Sequence, residues 1–117
     1  MSSGKQAEDL AVEYLKRQGV KLLARNVRCA GGEVDVIGEL RGTILFVEVR
    51  LRTSTQFGGA AASITRAKQK RVILAAQHWL IGPGQRHANR PCRFDAVLLN
   101  GLDTATIEWL PGAFSAD

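Results

Sequence analysis

Three carboxylates and two guanidinium groups fall inside the most strand-like part of this chain. The stretch GGEVDVIGELRGTILFVEVRLR, residues 31–52, carries Glu33, Asp35 and Glu48 where paired strands usually hold apolar or neutral side chains, and it ends on Arg50 and Arg52. Asp is a poor strand former, and an unpaired buried carboxylate is costly. Strand alternation puts Glu33, Asp35 and Ile37 on one face, and Ile44, Phe46, Glu48 and Arg50 on one face of the next strand. If the turn between them holds an even number of residues, Asp35 and Glu48 lie on the same side of a hairpin, directly opposite or offset by two residues. Two such carboxylates repel. Protonating one relieves the repulsion, and so does a cation between them. Oxygen ligands with no Cys or His nearby suit Mg²⁺ or Mn²⁺ and not zinc. Arg50, on the face of Glu48, could hold an anionic substrate oxygen or a developing negative charge. Salt bridges to the many arginines are the alternative use for these acids, but three acids favouring one face exceed what ion pairing needs.

The elements that must position these residues can be read from periodicity and breakers. Residues 5–18 predict a helix with an apolar stripe of Ala7, Leu10, Ala11, Tyr14 and Leu15, ended by Gly19. Glu8 lies on the edge of that stripe and could bring a further carboxylate toward the core, whereas Asp9 and Glu13 point away. Residues 20–29 predict a strand, with Gly31-Gly32 as the break after it. Strands over 33–38 and 43–51 form a hairpin through the turn Glu39-Leu40-Arg41-Gly42. Residues 52–63 read as a loop. A second helix runs from Ile64 or Thr65 to Ile81 with Val72, Ile73, Ala76 and Leu80 on one face, and Gly82-Pro83-Gly84 stops it. Gln69 is in line with that face, at the end crowded by Arg66, Lys68, Lys70 and Arg71. Its amide either touches the site or sits at the rim of the apolar stripe. A polar loop over 85–91, a strand over 92–100 and a short last strand over 106–110 complete the chain, with frayed ends over 1–4 and 112–117. The order αβββαββ predicts an α/β domain with a mixed sheet flanked by helices. The strict βαβα alternation and Gly-rich first turn of a dinucleotide fold are missing.

At 117 residues the chain predicts one domain. Its two cysteines, Cys29 and Cys92, are too few for a disulfide framework or a thiolate zinc site. The opening MSSGKQAEDL has no apolar run, and no apolar stretch is long enough to span a bilayer, so a soluble cytoplasmic protein with no membrane partner is expected. Net charge is +5, and it is uneven: no Asp or Glu occurs between Val49 and Phe94, where Arg50, Arg52, Arg66, Lys68, Lys70, Arg71, Arg86, Arg90 and Arg93 all fall. A one-signed field of this kind attracts polyanions, and nucleic acid is the partner it predicts. Asp95 ends the acid-free region and could pair with Arg93 or Arg90.

Three blocks in order, GGEVDVIGELRGTILFVEVRLR, FGGAAASITRAKQKR and CRFDAV, together with the opening AEDLAVEYLKRQGVKLLARNVR, resemble the YraN-like family of small endonuclease-like proteins. That family is grouped with the PD-(D/E)XK nucleases and is similar to archaeal Holliday junction resolvases. The resemblance covers about residues 6–109 and implies a restriction-endonuclease-like core. It implies that Asp35 is the metal-binding acid of the first core strand and that Glu48 is the acid of the (D/E)-x-K signature, here Glu48-Val49-Arg50. Metal would be held by Asp35, Glu48, the Val49 carbonyl and Glu8, the last resembling the extra helix acid of the resolvase branch. Gln69 resembles the helix Gln of related nucleases, and Glu33 belongs to the family's GE-(I/V)-D block. The signature normally ends in Lys, and this chain has Arg50. Arg supplies charge and donors but stays protonated, so it cannot be a base.

These readings lead to an expected Mg²⁺- or Mn²⁺-dependent endonuclease acting on branched or structured DNA. Asp35, Glu48, Arg50 and Gln69 would be catalytic, supported by Glu33 and Arg52. Arg52, Arg66, Lys68, Lys70 and Arg71 would grip phosphates. A nucleic-acid-binding module that has lost cleavage, or an interaction protein for an acidic partner, are the alternatives. The resemblance to resolvases, which cut two strands symmetrically, implies a homodimer.

Overall fold

The central hairpin closes through a turn tighter than the sequence suggests. Leu40 pairs with Thr43, so only Arg41 and Gly42 lie in the loop. Both have positive φ, 50° and 87°, the backbone that matches the right-handed twist of flanking strands. The even loop sets a register that ends at Val36–Val47 and whose continuation points Asp35 at Glu48.

The computed structural model describes residues 3–51, 64–102 and 106–116. Helix α1 spans Ser3–Arg17, strands β1, β2 and β3 span Lys21–Cys29, Gly32–Leu40 and Thr43–Leu51, and helix α2 spans Arg66–Leu80. A 3-10 turn, Gln85–His87, leads into β4, Cys92–Leu99, and β5 spans Ile107–Phe114. The strands form one five-stranded sheet in the order β1-β2-β3-β4-β5. Only β3 and β4 are parallel, which is why a helix-bearing crossover connects them. The predicted α/β class, mixed sheet and element order are all present.

A helix covers each face of the sheet. Helix α1 packs Ala7, Ala11, Val12 and Leu15 against Val36, Leu45, Val47, Val97 and Leu99. Helix α2 packs Val72, Ala75, Ala76 and Trp79 against Val34, Ile37, Ile44 and Phe46. Burial on both faces accounts for the unbroken apolar run from Ile44 to Val47. The buried face of α2 is rotated from the predicted one: Ala75 and Trp79 are inside, while Ile73 and Leu80 lie at the margin. Trp79 sets that phase, meeting Phe46 edge-on at 6.1 Å and stacking on His87 at 5.8 Å.

Two further elements differ from expectation. Gly32 is not a break but the start of β2. A Cβ there would lie 2.7 Å from the Arg71 carbonyl oxygen and 2.9 Å from the Ala75 nitrogen, so its bare backbone lets α2 lie close to the sheet. The tail from residue 112 continues β5 to Phe114. There the Gly112 N–H donates to Asp95 Oδ1 at 2.9 Å, and the Phe114 ring stacks on Phe94 at 5.2 Å. Among the described residues no helix is long and apolar enough to cross a membrane.

Candidate active site

The site lies where β2 leaves β3. Strand β2 stays paired with β1 as far as Gly32, but its last pair with β3 is Val36–Val47. Strand β3 remains paired with β4 to Leu51. The ladder therefore opens one pair short of Asp35–Glu48, and the two acids stand in the fork. Asp35 takes over the missing backbone partner, its Oδ2 accepting the Val49 N–H at 2.9 Å. That bond satisfies a strand donor and fixes the carboxylate in place.

Asp35 and Glu48 are both 8% exposed, and Asp35 is close enough to act on the Glu48 carboxyl by contact and by charge. Two carboxyls this close repel unless one is protonated or a cation lies between them. Burial first, then the contact and charge of Asp35, push Glu48 up to about 9, while Lys68 and Arg50 oppose the rise. Without a cation between them, a proton on Glu48 relieves the repulsion.

Glu8 is near enough to Asp35 to feel its charge. Burial and the Asp35 charge raise it above the ordinary carboxylate range, while hydrogen bonding with Asn26 and the Arg25 guanidinium oppose the rise. Arg25 Nη2 is 3.6 Å from Glu8 and 2.7 Å from Asp9. Glu8 is thus near the pair but tied to β1. No three acid, His or Cys side chains converge as a metal cage among the described residues. What converges is two carboxylates. That donor set suits Mg²⁺, which keeps several waters and binds through one or two carboxylates plus substrate phosphate.

A cleft of about 260 Å³ opens beside the pair, lined by Glu33, Glu48, Ala67, Lys68, Arg71 and Val72. Glu33 is held there by Arg28, whose Nε donates at 2.7 Å. Of the four basic residues at the start of α2, Lys68 and Arg71 line this cleft. Arg66 and Lys70 are exposed elsewhere on α2. Gln69 is half-buried, and its Nε2 donates to the Ile64 carbonyl at 3.1 Å, so it secures the start of α2. Arg50 is half-buried, and its Nε is buried with no partner among the described residues. Val49 contributes its N–H as described. Arg52 lies outside the described residues.

Sequence reasoning missed Arg25 and Asn26, which hold Glu8. Asn26 has φ 51°, a left-handed backbone that Asn tolerates. A polar Asn in the middle of an otherwise regular strand was the available signal. Asp95 is no part of this site. It is fully buried and accepts from Arg93 Nε and Nη2 at 2.8 and 2.9 Å, from Trp109 Nε1 at 2.9 Å and from Gly112. The pairing with Arg93 is as expected.

Comparison with known proteins gives matches over nearly the whole chain. The sequence model described as "Uncharacterised protein family UPF0102" matches residues 7–99. A UPF0102 protein of Methylobacillus flagellatus is 52% identical over 113 residues, 97% of this chain and 96% of its own length. A UPF0102 protein of Nitrosomonas europaea is 49% identical, and one of Saccharophagus degradans 48%, each over 97% of this chain and 93% and 92% of their own lengths.

Proposed function

This chain belongs to the UPF0102 family, and we propose that it is a divalent-metal-dependent endonuclease that hydrolyses phosphodiesters in DNA, branched or structured DNA being the favoured substrate. The carrying observation is the Asp35–Glu48 pair: two buried carboxyls in contact at a strand fork, beside a cleft lined by Lys68 and Arg71. The resemblance to PD-(D/E)XK nucleases and resolvases supports the same reading.

Asp35 and Glu48 would hold Mg²⁺ or Mn²⁺, with the Val49 backbone beside them and Glu8 nearby. Bound there, the metal would acidify a water and offset charge on the scissile phosphate. The chain's own residues do the rest. Strands β2 and β3 keep the acids rigid, and the Val49 N–H fixes Asp35. Lys68 and Arg71 draw a phosphate into the cleft, while Arg66 and Lys70 meet flanking phosphates in salt-dependent contacts. Gln69 positions the first turn of α2. Symmetrical cutting of a junction would call for a homodimer.

Arg50 favours a second reading, a nucleic-acid-binding module without cleavage, because the signature position lacks the usual lysine. One experiment separates the two. Mg²⁺ and Mn²⁺ binding is followed by calorimetry on the natural chain and on the double variant Asp35→Asn, Glu48→Gln, and both are then assayed on branched and linear DNA. Metal binding and metal-dependent cleavage, both lost in the double variant, support the nuclease. DNA binding with neither metal uptake nor cleavage supports the module.

A further inference from the structure

The four basic residues at the start of α2 look alike in sequence, yet the fold divides them. Lys68 and Arg71 are three residues apart, so they project from one side of the helix. Both line the cleft with Glu48. Val72, which also lines it, follows Lys68 by one helical turn and is buried, so Lys68 extends from the N-terminal end of the packed face. Lys68 is half-buried and makes no ion pair among the described residues. Arg50, two residues beyond Glu48 on the same strand, does not line the cleft.

Resting on the nuclease reading, we infer that Lys68 is the catalytic ammonium of this site. It reaches the scissile phosphate from α2 across the cleft from Glu48, and it takes the place that Arg50 holds in the strand signature. In the reaction, water oxygen bonds to phosphorus and the bond from phosphorus to the leaving oxygen breaks. The attacking water releases one proton to solvent and the leaving oxygen gains one from solvent, so a diester and water give a monoester and an alcohol. Lys68 donates N–H hydrogen bonds to the non-bridging oxygens, where negative charge grows, and Arg71 holds a neighbouring phosphate oxygen. An ammonium is a compact charge with rotatable donors, which suits a narrow cleft better than the wide fork of arginine.

Two measurements test this. The first is single-turnover cleavage of branched DNA with Mg²⁺ or Mn²⁺, together with DNA affinity. Lys68→Ala should lower the cleavage rate by roughly 10²–10³-fold, the usual effect of deleting one donor to a developing oxyanion, and should change DNA affinity only a few-fold. Lys70→Ala should act mainly on affinity, lowering the salt slope of binding by about one. Lys68→Ala that cleaves like the natural chain overturns the inference. So does Arg50→Lys that cleaves tenfold or more faster than the natural chain, because position 50 would then be where the missing cation is needed.

The second measurement needs no activity. Lysine acylation of the natural protein is mapped by mass spectrometry with and without inorganic phosphate, a probe small enough for the cleft. Phosphate should protect Lys68 and leave Lys70 reactive. Equal protection of both, or of neither, overturns the placement of Lys68. A natural chain that cleaves no DNA sinks the nuclease reading and the catalytic role with it. Selective protection of Lys68 in that case still supports the cleft as the phosphate seat, so the two failures remain distinguishable.

Discussion

Glu48→Gln should make the metal-free protein more stable at neutral pH, and increasingly so as pH rises. Glu48 titrates near 4.5 when exposed and is pushed up to about 9 in the fold, chiefly by burial and next by Asp35. Between those values the folded state holds a proton that the unfolded chain has released, so the natural protein loses stability as pH rises through that window. At about 1.4 kcal/mol for each unit of pH, the loss is about 1 kcal/mol at pH 5 and about 3 kcal/mol at pH 7. Gln does not titrate and can still donate to Asp35. The stability difference between variant and natural chain should therefore shift by about 2–3 kcal/mol in favour of the variant between pH 5 and pH 7. Urea unfolding in a chelating buffer at both pH values reads it, and other titrating groups largely cancel in the difference. Added Mg²⁺ should then stabilise the natural chain at pH 7 and not the variant, because ligand binding to the folded state adds to its stability. A difference that stays constant with pH would refute the buried, proton-sharing pair.

The remaining predictions concern geometry. Asp35→Ala should cost about 1–3 kcal/mol through the orphaned Val49 N–H, whereas Asp35→Asn keeps an acceptor there and should lose metal affinity with little loss of stability, which calorimetry and denaturant unfolding together resolve. Asp95→Ala strands the Arg93, Trp109 and Gly112 donors at a fully buried position and should cost about 3–5 kcal/mol, seen as a large fall in the urea midpoint. Gly32→Ala forces a Cβ into the backbone of α2 and should cost about 1–3 kcal/mol or more. It should also weaken phosphate protection of Lys68, because the helix that carries that residue must move.

Most of the scaffold could be read because its cause is local. Alternation marks β2 and β3, and an even turn is enough to put Asp35 and Glu48 on one face, while the two-residue turn Arg41-Gly42 sets the register between them. The Asp35–Val49 bond could not be read, because it arises where β2 leaves β3 one pair early, which strand alternation does not show. The extension of β5 was hidden by Pro111-Gly112, which reads as a stop. A proline is tolerated on an edge strand, and Asp95 accepts the Gly112 N–H that holds the strand there. The phase of α2 follows Trp79, a buried residue that lies outside the stripe of Val72, Ile73, Ala76 and Leu80. That same phase separates Lys68 and Arg71 from Arg66 and Lys70, so composition could supply the cluster but not its division.

The sheet holds two kinds of buried carboxylate, and the contrast bears on why acids occupy strands at all. Asp95 shows what a structural acid looks like here: both oxygens accept, and a guanidinium neutralises it. Nothing is left over for a ligand. Asp35 and Glu48 are arranged the opposite way. They face each other, the nearby cations Lys68 and Arg50 act on Glu48 without forming an ion pair among the described residues, and a proton is held at a cost to stability. With arginines available on β1 and β3, ion pairing was within reach for these acids too, as Arg25 shows with Asp9 and Glu8. A strand fork that leaves its two buried acids without a countercharge is destabilising on its own terms. Under the proposed function, a divalent cation would replace the proton and offset that cost, which is the exchange a metal-dependent phosphodiesterase site would require of its two acids.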